Sequence, residues 1–285
     1  MEKGGGRNAS SVRVPLLSMV ESLKELNQIC QKPDYKTKGN WMVRHILRDA
    51  ALPATWLLLH TPVTANQVTT VSLVIGVAGI LLFGHESRSL FLLGALLLQT
   101  WYFLDHVDGQ IARYRKTASL TGRFFDFITH HIIHGAIFFA LSYYCYQHTS
   151  HTGFLILGFI SSFSMILFNL ISDTKYKTFL EYLLQRREFR FKEIRGETTV
   201  TENPRKLNFW AFVFSFLHKA SEVHVVMNLL TFLAVIQLWT GEGIDARFFL
   251  FLFYAVTLPV LAGGKMTFLI WSKKIDSEFR SVFEE

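Results

Sequence analysis

The chain has 285 residues, half of them apolar, with 27 Phe, a mean hydropathy of +0.27 and a formal net charge of +7. So much apolar surface excludes an ordinary water-soluble globule and points to the lipid bilayer as solvent, with the basic residues gathered in loops where they meet anionic headgroups or an anionic substrate. Cys30 and Cys145 lie far apart without ligand-type spacing, which excludes a disulfide framework and a zinc knuckle and leaves both as structural residues.

Residues 1–40 open with Gly, Asn and Ser and carry several Lys and Arg but no long apolar run, so they read as a basic cytoplasmic segment and not a signal peptide. Within them Met19, Val20, Leu23, Leu26 and Ile29 recur at helical spacing, as expected for a solvated helix or one resting on a membrane or partner. Residues 41–60, WMVRHILRDAALPATWLLLH, set an apolar face against Arg44, Arg48 and Asp49, and the pattern predicts an amphipathic helix lying along the interface. Spanning segments follow at about 66–84, 89–112, 122–146, 153–173, 220–240 and 246–271, each long enough for a hydrocarbon core of about 30 Å. The expected fold is therefore all-α: a bundle of six transmembrane helices with an N-terminal interfacial helix, a membrane domain over 41–272 and a cytoplasmic tail over 273–285.

The distribution of charge orients it. Arg113, Arg115, Lys116 and Arg123 fall in the turn near 113–123, ten Lys and Arg in the connection 174–219, and Lys273, Lys274 and Arg280 at the C-terminus, against only Arg88 and Arg247 in the opposite turns. Positive residues collect on the cytoplasmic side, so those segments are expected there. The 174–219 connection reads as an amphipathic helix (FLEYLLQRREFRF) followed by a polar turn.

Acidic residues at the ends of spanning helices call for a physical reason, because charge in the bilayer is costly. The second span ends FLDHVDGQIARYRK and the third begins TGRFFDFITHHIIHG. Asp105 and Asp108, three apart, share one helical face, with Gly109 and Ala112 as small neighbours, and Asp126 and His130, four apart, share another. Three carboxylates in one place repel one another unless cations bind, and oxygen-rich sets of this kind hold Mg²⁺ or Mn²⁺ against phosphate-bearing substrates. The alternative is a helix-end cluster paired internally with Arg113, Arg115 and Arg123.

The run Asp105-x2-Asp108-Gly109-x2-Ala112-Arg113-x8-Gly122-x3-Asp126 resembles the signature of the CDP-alcohol phosphotransferase family, D-x2-D-G-x2-A-R-x8-G-x3-D-x3-D, at seven of its eight fixed positions. The six-span layout and a TxxxxNQVT segment (Thr61, Asn66, Gln67, Val68, Thr69) are also similar to that family. The resemblance implies a homodimeric membrane enzyme that works on a CDP-linked alcohol donor and a hydroxyl acceptor, with its active site at the cytoplasmic ends of the helices and no nucleic-acid partner. It implies that Asp105, Asp108 and Asp126 hold divalent metal. Gly109, Ala112 and Gly122 would leave room for the cytidine and its phosphates, and Arg113 would pair with a phosphate oxygen.

The departure is at the eighth position, where the family's proposed general base, an Asp, is His130. An imidazole, with a reference pKa of about 6.5, can take the acceptor's proton beside Asp126. It can instead join the carboxylates as a metal ligand, which would admit Co²⁺ or Zn²⁺ as well as Mg²⁺ or Mn²⁺. The second functional reading is a catalytically silent member that binds CDP-alcohol or lipid, and a third, a transporter or channel, would need its acids near the midplane of the bilayer. His131 and His134 extend the run, and Asp126, His130 and His134 at successive helical steps suit either a transition-metal site or packed histidines. Ser161, Ser162, Ser164, Asn169, Ser172, Asp173, Glu222, His224, Asn228 and Lys265 are candidates for an acceptor pocket or for interhelical hydrogen bonds, with Lys265 the one suited to an anionic acceptor.

Overall fold

A computed structural model describes residues 20–31, 40–186, 209–240 and 245–283. Every regular element among them is helical: α1 Leu23–Cys30, a π-helical turn Val43–Leu47 running into α2 Arg48–Leu59, α3 Ala65–Phe83, α4 Arg88–Tyr114, α5 Leu120–Thr149, α6 Gly153–Arg186, α7 Phe209–Ala220, α8 Val223–Trp239, α9 Ala246–Trp271 and α10 Lys274–Val282. Five of these helices, α3, α4, α5, α6 and α9, are individually long and apolar enough to cross a bilayer. The α7–α8 pair makes a sixth only as one span bent by 66°. The fifth expected span is not one continuous helix: α8 has 17 residues, about 26 Å at 1.5 Å per residue, short of a hydrocarbon core of about 30 Å, and with α7 it forms either a broken span or a re-entrant pair. These helices make the chain a multi-pass membrane protein.

The chain divides into two compact units, Met1–Thr69 with Phe103–Gly122, and Thr70–Tyr102 with Arg123–Glu285. The division falls inside α3, α4 and α5, so the signature is shared between the units.

The first unit is built around Leu26, Cys30, Ala51, Leu52, Leu59, Val68, Val107 and Ile111. Ser22 and Glu25 form a reciprocal capping box that starts α1. Leu26 and Cys30 of that helix are fully buried, so α1 is docked on its own chain and is not the solvated helix its spacing allowed. Pro53 removes one backbone donor from α2. Nearby, the Arg48 carbonyl accepts the side-chain amides of Gln110 (2.9 Å) and Gln31 (3.4 Å), and the Thr55 hydroxyl donates to Gln110 Oε1 at 2.7 Å. The α4 helix closes in a Schellman arrangement, with the Thr117 N–H on the Ala112 carbonyl, the Lys116 N–H on that of Arg113, and Lys116 at a left-handed φ of 53°. That turn reverses the chain between the two halves of the signature.

In the second unit α3 and α4 approach so closely at Gly79 and Gly94 that a Cβ on either would sit under 3 Å from the other's carbonyl oxygen. The α6 helix packs along α9 through Phe168, Leu261 and Ala262. It also continues without a break to Arg186, past the expected end of the span at 173, and its 34 residues extend about 51 Å, well beyond the hydrocarbon core. The acidic and basic residues of its last turns end the hydropathy signal but do not end the helix. Residues 187–208, which hold the rest of the basic connection and the expected polar turn, lie outside the described residues, as do 1–19. Arg247 is 1% exposed and bonded to Asp245, with its guanidinium over the Phe91 and Tyr144 rings, so it is a core cation and not a loop charge. Burial alone would raise the Asp245 carboxyl, but Arg247, Tyr144 and Gln237 outweigh it and hold that group well below the ordinary range.

Candidate active site

The C-terminal turns of α4 carry Asp105, Asp108, Gly109, Ala112 and Arg113 in the first unit. Asp108 is 9% exposed, and its Oδ2 receives the hydroxyl of Thr69 at 2.5 Å. The same hydroxyl lies 3.1 Å from the Ala65 carbonyl, and its single proton belongs on the shorter, charged contact. Thr69 is the last residue of the TxxxxNQVT segment, and the structure gives the rest of that segment separate tasks. Thr64 and Gln67 exchange hydrogen bonds as the capping box of α3, and Asn66 places its Oδ1 beside Gly122, 3.3 Å from where a Cβ would be. Gly122 donates its N–H to the Ser119 hydroxyl at the start of α5. Asp105 lies 3.8 Å from Nδ1 of His106, the next residue of α4.

The arginines of this region go to backbone carbonyls. Arg115 donates to the carbonyls of Val63 (2.5 Å) and Thr61 (2.6 Å), and Arg113 donates its Nε–H to that of Cys30. The Arg113 guanidinium lies across Gly109, where a Cβ would stand 3.1 Å from Nη1, a tight contact that the arginine would have to ease by a few tenths of an ångström.

In the second unit α5 sets Asp126 and His130 on one face, with Nδ1 of His130 3.0 Å from the Asp126 carbonyl and 3.2 Å from its Oδ1. Both neighbours accept, so Nδ1 carries the ring proton. Trp101 packs edge-on against His130 and His134, with ring centres 5.3 and 6.1 Å away. His134 is turned to α6, where the Asn169 amide donates to its Nδ1 at 3.2 Å, and His131 pairs with Asp173 at 3.4 Å. The three expected steps therefore separate: Asp126 and His130 meet, and His134 joins the α5–α6 contact.

A cleft of about 220 Å³ opens on His130, walled by His131, His134, Asn169, Ser172 and Asp173 together with Phe127. Of the expected acceptor residues, Asn169, Ser172 and Asp173 line it. Lys265 stands behind, its ammonium 2.6 Å from the Ser172 hydroxyl and 3.0 Å from the Phe168 carbonyl. Asn228 instead serves an interhelical contact with Gln99, and Glu222 pairs with His224. Ser161 bonds back to its own helix.

The donor set suits a divalent cation. Carboxylates and an imidazole are the donor types that a hard to borderline ion takes, and a hydroxyl such as that of Thr69 on Asp108 is the kind of outer partner that orients a ligating carboxylate. Sequence reasoning placed the acids but missed the role of Thr69; its signals were its place in the TxxxxNQVT segment and a polar β-branched residue one helical turn into an apolar span.

No curated protein matches the chain. The sequence profile described as CDP-alcohol phosphatidyltransferase matches residues 62–240, which is well over half of the chain and includes every signature position. The chain belongs to the CDP-alcohol phosphatidyltransferase family, a family of transferases for substituted phosphate groups.

Proposed function

We propose that the protein transfers the substituted phosphate of a CDP-linked alcohol to an acceptor hydroxyl and releases CMP, at the cytoplasmic face of the membrane, as a step of phospholipid or related phosphodiester synthesis by a homodimer. The observation that carries this reading is the His130 imidazole, held through Nδ1 by Asp126 at the wall of a cleft of about 220 Å³. His130 takes the proton of the acceptor hydroxyl on Nε2 as the oxygen bonds to the β-phosphorus. The bond from that phosphorus to the bridging oxygen breaks, and the oxygen leaves with CMP. Asp126 orients the imidazole and stabilises it once protonated. Arg113 holds a phosphate oxygen, and Gly109, Ala112 and Gly122 keep the floor of the donor site free of side chains.

Asp105, Asp108 and Asp126 would hold the divalent metal, Mg²⁺ or Mn²⁺. When bound there, the metal would neutralise charge on the diphosphate and on the leaving phosphate. One lone pair on Nε2 serves either the proton or a metal ion, and we assign it to the proton.

The test is CMP release by the purified protein in bilayers, supplied separately with CDP-diacylglycerol, CDP-choline, CDP-ethanolamine and CDP-inositol, with Mg²⁺, Mn²⁺ or Co²⁺ and a panel of hydroxyl acceptors. Metal-dependent release that Asp108→Ala and His130→Ala both abolish is the expected result. Loss in Asp108→Ala alone would remove His130 as the base. Binding of a CDP-alcohol without CMP release from any donor would replace the enzyme with the silent binding protein.

A further inference from the structure

Arg113 is long, flexible and expected to meet a phosphate, yet its Nε–H is bound to a carbonyl of α1, a helix upstream of the family-matched residues 62–240. The geometry of that contact is specific. Cys30 is the last residue of α1, and Gln31 leaves the helix in an extended conformation, so the Cys30 carbonyl is one of the orphan acceptors at a helix C-terminus. The negative end of a helix dipole favours a cation there. Using Nε on this carbonyl fixes the plane of the guanidinium and leaves the Nη pair lying over Gly109, the edge that a bidentate phosphate contact requires.

The helix is secured to α4 along its whole length. Glu21, just ahead of α1, accepts the hydroxyl of Tyr114, Leu26 is fully buried in the cluster that contains Val107 and Ile111, and Gln31 reaches the Arg48 carbonyl that also holds Gln110. The contacts with α4 fall at positions 107, 111, 113 and 114, the helical face and end next to Asp108. A surface helix kept only for stability would need the apolar contacts alone.

We propose that α1 is a positioning element of the donor site: its C-terminal carbonyl presets the Arg113 guanidinium to receive the diphosphate of a CDP-linked ligand. Preorganisation lowers the entropy lost when the ligand arrives, so loosening α1 weakens donor binding without touching the acceptor side or the proton transfer. The proposal rests on the donor reading above.

The experiment uses the full-length protein in bilayers with CDP and Mg²⁺ as the probe, read by calorimetry. The variants are Leu26→Ala, which loosens the middle of α1, and Tyr114→Phe, which frees its start and leaves the core intact. Each is combined with Arg113→Ala. The expected result is about tenfold weaker CDP binding in Leu26→Ala and a smaller loss in Tyr114→Phe, with neither causing further loss once Arg113 is Ala. In turnover, the KM for the donor rises while kcat and the KM for the acceptor stay within about twofold. Equal weakening in both backgrounds, or unchanged CDP affinity in both single variants, overturns the proposal. A wild type that shows this coupling in CDP affinity but releases no CMP overturns the transferase reading and leaves the role of α1 standing; a wild type that binds no CDP overturns this proposal as well.

Discussion

Replacing Thr69 by Val removes one hydroxyl and almost nothing else, since the two side chains share shape and branching. The hydroxyl has two contacts but one proton to give. The one to the Ala65 carbonyl, at 3.1 Å and four residues back, is a contact that does little for a helix and can bend it. The other, at 2.5 Å to a carboxylate that is 9% exposed, is charge-assisted and shielded from water. Hydrogen bonds to charged groups are worth about 1.5–3 kcal/mol, and loss of an outer partner of a metal ligand typically costs about 10–100-fold in metal affinity, so the two scales agree. The expected outcome is a rise of about 10–100-fold in the Mg²⁺ concentration for half-maximal CMP release, with kcat at saturating metal largely kept. Thr69→Ser should restore most of the affinity. A Thr69→Val protein that melts at a lower temperature but needs no more metal than the wild type would refute the reasoning and reduce Thr69 to packing.

Three further outcomes follow from the geometry. Gly122→Ala places a methyl group 3.3 Å from Asn66 Oδ1 and Ser119 Oγ, while helix propensity favours Ala over Gly by about 1 kcal/mol; a melt should therefore show little change while the donor KM rises several-fold. Arg247→Met leaves Asp245 half-buried beside Tyr144 and Gln237 without its cation, which should cost about 3–5 kcal/mol in unfolding measurements, and Arg247→Met with Asp245→Asn should recover part of it. The Lys175 hydrogen bond holds the Glu278 carboxyl below its ordinary 4.5. A depressed folded value means that the contact's stabilisation is complete above about 4.5 and is lost as pH falls through the lower folded value. Protease cleavage next to α10 should therefore increase below about pH 4.5 in the wild type, and Glu278→Gln should be cleaved equally at pH 4 and pH 7.

The spacing of the signature already placed Asp105 with Asp108 and Asp126 with His130, because three and four residues are what a helix brings to one face. The turn between them could also be anticipated as short, although the left-handed Lys116 that closes it carries no glycine to announce it. Hydropathy found the spans wherever apolar runs were long and unbroken, and failed at both ends of the fourth loop. The α6 helix persists through Asp173, Lys175 and Lys177 because helix formation does not require an apolar sequence, and α7 and α8 are divided by a bend that composition does not encode. Contacts between distant segments were not legible. The bond from Thr69 to Asp108 joins residues 39 apart, and that from Arg113 to Cys30 joins residues 83 apart. In the sequence Thr69 is one polar residue among many, and Cys30 takes part through a carbonyl that any residue would supply. The tautomer of His130 likewise depends on what lies against Nδ1, which is a fact of packing.

Cys30 and Cys145 are both fully buried, and burial pushes the Cys30 thiol up to about 11, so neither offers a thiolate to a reagent in water. The wild-type chain is therefore already a silent background for thiol labelling. A single cysteine placed at exposed Thr117, between α4 and α5, or at exposed Thr152, between α5 and α6, would be the only reactive one among the described residues. With an impermeant maleimide on sealed vesicles, those two positions should label from opposite sides, and on the proposed reading a donor added on the side shared with Thr117 should be the one turned over.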